Sequence, residues 1–423
     1  MPSVPPTPSR RLRSREELAD YLLDIGATLA AYGCPSYRLE DVIRRIAELE
    51  GYRAEPFALP TGLFLRVRPN EGDRVPDVYR MTRMSEWGVD LDRLTLVDEI
   101  FNDVVVRRST IEQARARIRG VIAKPACWSP PLVWAATMAC GGAVAVFFRG
   151  SAIDVLASAI VGVVLGATRF LLVTPAQRLL NDFFGGLFAA ACAWICTHFW
   201  HDASAPIIVI AGAISLFPGM TFTTGLAELA QKNLVSGGAR LMEAAITTLL
   251  VLFGVALLAG LGELSGEKIE FVRRSVEGRG LSLPYQAVAL VVASLSFAVI
   301  FQVPRRFLWG ALLSGATGYV VTSLATKHLP LHIAAFCAAL AVCALANGLA
   351  RATARPAQLF MLPGLMLLVP GSFGFRSLGA LLSTGELAVL SGVSQGFAMV
   401  LIGIALVVGI LVANVVLPPR KLL

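Results

Sequence analysis

Pro218-Gly219 sits inside the apolar stretch Ile214 to Leu229, ISLFPGMTFTTGLAEL, followed by the hydroxyls of Thr221, Thr223 and Thr224 and the carboxylate of Glu228. Proline removes a backbone donor and glycine adds freedom, so a helix broken here in hydrocarbon leaves backbone groups bare unless protein or a cavity satisfies them. A break with hydroxyls and an acid beside it suits a small polar solute held at membrane depth. The pattern returns in PGLMLLVPGSFGFRSLGALL, Pro363 to Leu382. With a shift of 152 residues, Pro218-Gly219 falls on Pro370-Gly371, Gly212 on Gly364, and Leu226 and Leu229 on Leu378 and Leu381. Two broken helices in corresponding halves point to a transporter's substrate site. The candidate binding residues are Pro218, Gly219, Thr221, Thr223, Pro370, Gly371, Ser372 and Arg376. The turns after Gly219 and Gly371 would offer free N–H groups and positive dipole ends to a carboxylate. Arg376 would pair with that carboxylate or snorkel to the outer face. The plainer reading of both breaks is a kink that only helps packing.

Three acids are candidates for carrying a coupling proton, because a carboxyl in apolar surroundings titrates closer to neutrality. Glu228 is the first, then Glu243 and Asp182. Glu243 lies three residues after Arg240, where an interfacial ion pair competes, and Asp182 and Asp154 also suit helix N-caps. His198 with His201, and His328 with His332, read as interfacial side chains rather than metal ligands. Cys192 and Cys196 are one turn apart and read as packing, as do the other cysteines, which lie mostly in apolar runs. Gly392-Val393-Ser394-Gln395-Gly396 matches the G-x-S-x-G of serine hydrolases, but it opens an apolar helix where the chemistry needs a strand-turn-helix elbow. GELSGEK (Gly262 to Lys268) lacks Walker A spacing, so ATP drive is not indicated, and no metal or other cofactor is expected.

Composition says what must position these residues. Of 423 residues, 56% are hydrophobic, and the mean hydropathy is +0.68. Residues 1–124 hold 20 Lys/Arg and 19 Asp/Glu, leaving 17 and 10 for the rest, so most of the net +8 lies in the apolar part. That favours basic loops against anionic lipid over nucleic acid. A disordered tail is expected at 1–13, then a soluble α+β domain at 14–124. In it, Ser14 with Glu17 would cap a helix whose stripe is Leu18, Leu22, Ile25 and Leu29. Ser36 would cap a second helix ended by Gly51, strands would alternate through Tyr52 to Met84, and helices would follow over Leu91 to Arg107 and Ser109 to Ala123.

About ten apolar segments follow, at 129–148, 152–172, 182–200, 205–226, 241–262, 284–303, 307–326, 331–350, 357–377 and 390–414. Each is near the roughly 20 residues that cross a bilayer. No cleavable leader precedes them, so the N-terminus is expected in the cytoplasm. Arg169, Arg178, Lys232, Arg240, Arg305, Arg306, Arg351, Arg355, Arg420 and Lys421 then fall inside. Arg149, Lys268, Arg273, Arg274, Arg279, Lys327 and Arg376 fall outside, four of them in the loop Glu263 to Gly280. Both termini are therefore expected inside. Five segments per half is an odd number, so the halves, 129–262 and 284–414, would form inverted repeats. Gly166-Ala167-Thr168 and Gly315-Ala316-Thr317 are a further, weaker match between them. The expected fold class is an α-helical polytopic membrane protein with two inverted five-helix repeats behind a small α+β domain.

GCPSYRLEDVIRRIAELEG (Gly33 to Gly51), FPGMTFTTGLAELAQKNLVSGGARLMEA (Phe217 to Ala244) and VPGSFGFRSL (Val369 to Leu378) resemble the threonine/serine exporter family over nearly the whole chain. The family pattern of a Pro-Gly break, an acid near the helix end and Gly-x-Ala-Arg falls here on Pro218-Gly219, Glu228 and Gly238, Ala239, Arg240. Glu228-Leu229 stands where many members have Asp-Leu. The resemblance implies export of small amino acids driven by protons, across a bacterial inner membrane. Split relatives associated with dicarboxylates keep that substrate open, and a homo-oligomer is equally open. Two further readings are a membrane-embedded hydrolase using Ser394, which lacks His and Asp partners, and a membrane-anchored sensor, which would need no repeat.

Overall fold

Residues 15–69, 76–84, 88–171, 180–264, 281–381 and 386–419, with Thr174 and Gln177, are described by a computed structural model. The expected tail, the Ser14 cap, Arg178, loop positions 265–280, Arg420 and Lys421 lie outside them. The chain divides into two compact units, one ending at Pro125 and the other beginning at Ala126.

In the first unit the stripe Leu18, Leu22, Ile25 and Leu29 is fully buried on α1 (Arg15–Ala31). Gly33, at φ +93°, turns the chain into α2 (Ser36–Leu49), and Gly51, at φ +82°, turns it out again. Ser36 does not cap α2. Pro35 occupies the cap position and has no side-chain donor or acceptor to offer, so Ser36 is drawn into the first turn. β1 (Tyr52–Leu59), β2 (Gly62–Pro69) and β3 (Val78–Arg83) form an antiparallel sheet, β1 and β2 joined through Pro60-Thr61. Leu63, Leu65 and Val67 point into the core while Phe64 faces out, as the alternation predicts. Asp90 caps α3 (Leu91–Val105), accepting from Arg93 N at 2.9 Å, and Thr110 with Gln113 makes a capping box at α4 (Ile111–Ala123).

The second unit is helical throughout its described residues: α5 (Pro130–Phe147), α6 (Ala152–Leu171), α7 (Asn181–Phe199), α8 (Ala205–Gly212), α9 (Gly219–Ala230), α10 (Leu234–Leu264), α11 (Leu283–Ile300), a short 3-10 turn (Arg305–Phe307), α12 (Leu308–Ala325), α13 (Leu331–Thr353), α14 (Gln358–Met366), α15 (Gly371–Leu381) and α16 (Glu386–Val416). Each expected apolar segment falls on a helix or a broken pair. Among the described residues eight helices are long and apolar enough to cross a membrane, nine with the pair Ala205–Gly212 and Ile214–Ala230, bent by 48°. The remaining apolar helix among the described residues is Ala152–Thr168.

Packing repeats along the chain. α5 packs on α6 and α8, α6 on α7 and α8, α7 on α8 and α10, and α9 on α10. Likewise α11 packs on α12 and α14, α12 on α13 and α14, α13 on α14 and α16, and α15 on α16. Between the sets, α5 meets α11, α9 meets α15, α9 reaches α16, and α15 reaches α10. Gly212 closes on Val161 of α6 and Gly364 on Ser314 of α12, offsets of 152 and 153 residues. The Gly-Ala-Thr match, offset by 149, falls about one turn out of step with this.

Candidate functional site

The two Pro-Gly pairs lie where the helices restart. α8 ends at Gly212, residues 213–218 carry the turn, and Pro218 is the N-cap from which α9 begins at Gly219. α14 ends at Met366, and α15 begins at Gly371 after Pro370. Proline fits a helix start because its missing N–H would be unpaired there in any case. The two restarts touch. A methyl group added at Gly219 would come within 2.2 Å of Val369 Cγ1 and 3.4 Å of Gly371, and one added at Gly371 within 3.3 Å of Phe217 Cβ and 3.6 Å of Gly219 Cα. Residue 219 meets 369 and residue 371 meets 217, the reciprocal contact expected about a two-fold axis. Phe217 and Phe375 pack with ring centroids 5.2 Å apart. Thr221, Thr223 and Ser372 are buried in the first turns after the restarts, with Thr223 Oγ1 donating to Gly219 O at 3.0 Å. The positive dipole ends of two helices thus converge among apolar side chains.

Glu228 lies nine residues further along α9, about 14 Å at 1.5 Å per residue. Its side chain has no solvent exposure. Oε2 accepts from Ser236 Oγ at 2.6 Å and from Arg240 Nε at 3.1 Å, both on α10. Two glycines allow this approach: a methyl on Gly225 would lie 3.1 Å from Gly237 O, and one on Gly237 would lie 2.7 Å from Gly225 O. An ion pair with a hydroxyl donor is a different setting from the lone acid in an apolar pocket that the sequence suggests. Ser236 was not legible as a partner, and reading along one helix joins Arg240 to Glu243. The interhelical pair depends on the turn at 231–233, where Lys232 takes φ +69°.

The other candidates are dispersed. Arg376 lies over the Phe148 ring at 5.2 Å. Asp182 sits inside the first turn of α7, with Leu180 at the cap position, and accepts from Asn181 Nδ2 at 3.4 Å. Glu243 is half-buried on α10. Asp154 is buried and works as part of a capping box: Oδ2 accepts from Ser151 N at 2.8 Å, and Oδ1 accepts from Ser204 N at 2.7 Å, which ties α6 to the start of α8. Ser394 is exposed in the continuous helix α16, so no nucleophile elbow forms there, and Gly392 instead accepts from Ser377 Oγ at 2.7 Å. All seven cysteines are free, and the described residues hold no cluster of three or more His, Cys, Asp or Glu able to bind a metal.

Sequence models of the threonine/serine exporters match residues 20–262 (ThrE) and residues 286–416 ("Threonine/Serine exporter, ThrE"). The chain belongs to the threonine/serine exporter family. It is also similar to an uncharacterized protein of Schizosaccharomyces pombe, 24% identical over 96% of this chain and 52% of the relative. Pheromone-regulated membrane protein 10 of Yarrowia lipolytica is 26% identical over 86% of this chain and 30% of its own length, and that of Saccharomyces cerevisiae is 23% identical over 94% and 54%. The chain thus spans about half the length of these relatives, or less. The family and the apolar helices make this a multi-pass membrane protein, and since these relatives are fungal they do not support the bacterial inner membrane that the resemblance implied. No solved structure matches.

Proposed function

We propose that this exporter-family chain is a secondary transporter that moves small polar amino acids such as threonine and serine out of the cytoplasm. The observation that carries the reading is the reciprocal meeting of Gly219 and Gly371, where two helices restart against each other inside the membrane unit. Like dipole ends repel in a low dielectric, and an amino acid's carboxylate between them would relieve that repulsion. Thr221, Thr223, Ser372, Pro218 and Pro370 are the proposed surroundings, and the recurring helix pairings support ten spans in two inverted repeats that rock about this point. Export is coupled to proton entry through Glu228, whose protonation would release Arg240 and Ser236 and loosen α9 from α10. Both termini are cytoplasmic in this scheme.

Counterflow in proteoliposomes tests it. Labelled threonine should accumulate against an internal load of unlabelled threonine or serine and not against a load of succinate. Counterflow of labelled succinate against a succinate load, with none of labelled threonine, would make the solute a dicarboxylate, and counterflow of neither would remove the transport reading.

A further inference from the structure

Among the described residues, the outer face of the sheet in the N-terminal unit is apolar and exposed. α1 and α2 pack on the strands, and Leu63, Leu65 and Val67 are buried on the inner face. The outward set follows from the register. Phe57 stands opposite Phe64 and Phe64 opposite Met81, with Tyr79 two residues before Met81 on the same face. These four side chains keep 44–69% of their surface exposed, and the Phe57 and Phe64 ring centroids lie 6.4 Å apart. A contiguous apolar row on an otherwise charged unit marks a contact surface.

Charge says what covers it. Glu55 and Asp77, the acids beside this row among the described residues, are both taken: Glu55 pairs with Arg66 at 3.1 Å and with Arg68 at 3.2 Å, and Asp77 with Arg66 at 2.7 Å. Arg53 and Arg83 are exposed at opposite ends of the face, and neither has an ion pair among the described residues. Apolar rings flanked by cations with surplus charge suit a bilayer interface rich in anionic lipid. Nucleic acid fits less well, because the 20 basic and 19 acidic residues of 1–124 give no wider basic footprint. Area argues against a second copy. Eight-residue strands and three-strand width give a face of about 26 by 14 Å, less than half of the roughly 800 Å² that each partner of a stable protein interface buries. A unit tethered to a bilayer by its own chain needs less, since the tether supplies effective concentration. α4 ends at Ala123, and the apolar helix α5 begins at Pro130.

We infer that the outer sheet face of the N-terminal unit seats on anionic lipid headgroups of the bilayer that holds the rest of the chain, with Phe57, Phe64 and Met81 at the interface and Arg53 and Arg83 on lipid phosphates. The inference rests on the multi-pass membrane location and not on the transport reading.

Lipid quenching on the full-length protein tests it, in nanodiscs of phosphatidylcholine alone or mixed with an equal part of phosphatidylglycerol. An environment-sensitive fluorophore is attached at Met81→Cys in a cysteine-free background and, for comparison, at Ala116→Cys, which is exposed on α4. In the anionic discs, lipid carrying a headgroup nitroxide should quench position 81 several-fold more than position 116. That difference should vanish in phosphatidylcholine alone and in about 1 M salt, where screening cuts the reach of a charge to about 3 Å. Arg53→Gln with Arg83→Gln should lower the ratio of seated to free unit on the order of tenfold. The lipid and salt arms keep both arginines, so the test stands even where the double variant fails to fold. The inference would be wrong if position 81 were quenched no more than position 116 in anionic discs, or equally in both lipids. A blue shift at position 81 without lipid quenching, with two chains cross-linked through Met81→Cys by a bismaleimide, would make the cover a second copy and overturn it as well.

Discussion

Glu228 and Arg240 keep 0% and 8% of their side-chain surface, a setting in which deleting one partner strands the other's charge. Such stranding typically costs about 3–5 kcal/mol, whereas replacing both partners is often tolerated. Glu228→Gln should therefore reduce the folded yield measured by fluorescence size-exclusion, and adding Arg240→Gln should restore it. An unchanged yield in the single variant would show that the pair is not structural. The restored double variant isolates function from folding: if Glu228 couples protons, it should keep threonine exchange and lose export driven by a pH gradient. Tyr21 poses the opposite case, a fully buried hydroxyl whose Oη lacks a hydrogen-bond partner. Tyr21→Phe should stabilise α1 by on the order of 1 kcal/mol, read as slower exchange of its amides. Burial pushes the Tyr21 phenol up from its ordinary range, so the folded protein keeps this proton at pH values where the unfolded chain releases it. The wild type should accordingly lose stability as pH rises above about 10, and the phenylalanine variant should lose less. Equal slopes would disprove the assignment.

The broken helices were legible as breaks because proline and glycine leave a local signature, but where each helix resumes depends on tertiary contact. Sequence puts the interruption at Pro218-Gly219; the chain leaves the helix at Gly212 and uses that pair to restart. The meeting of Gly219 with Val369 is not encoded in either segment alone, since it needs two distant helices brought to one point. Gly219→Ala should therefore clash with Val369 Cγ1, 2.2 Å from the new methyl, while Gly371→Ala meets ordinary contact distances beyond the 3.3 Å to Phe217 Cβ. Overpacking of this kind costs about 1–3 kcal/mol. Gly219→Ala should lower transport and thermal stability more than Gly371→Ala does, and Val369→Ala should rescue Gly219→Ala by clearing the space. A double variant no better than Gly219→Ala alone would mean that the defect lies in helix geometry and not in this contact.

At the scale of the whole chain, the change from charged to apolar sequence lies close to the division between the two units, because hydrocarbon tolerates few of the 20 basic and 19 acidic residues crowded into the first 124. Helix and strand types in the N-terminal unit followed from periodicity, whereas the buried Arg38 Nη1 without a hydrogen-bond partner did not, since a missing partner leaves no trace in a sequence. The proposed inverted repeat rests on two kinds of argument. Five apolar segments per half require opposite insertion, and the pairings of α5 to α10 recur term for term in α11 to α16. Parallel repeats could reproduce the pairings, but with single crossings they could not reproduce the odd segment count, so sidedness separates the two. In a cysteine-free background, Ser275→Cys and Arg420→Cys should be labelled by an impermeant maleimide from opposite faces of the membrane, Arg420→Cys from the cytoplasmic one. If α8 with α9, or α14 with α15, turned back as a re-entrant loop instead of crossing, that half would have an even number of crossings. One such loop in the second half would bring both positions to the outer face, and one in the first half would reverse both. Labelling of Ser275→Cys from the cytoplasmic side would place the re-entrant loop in the first half and end the inverted-repeat proposal.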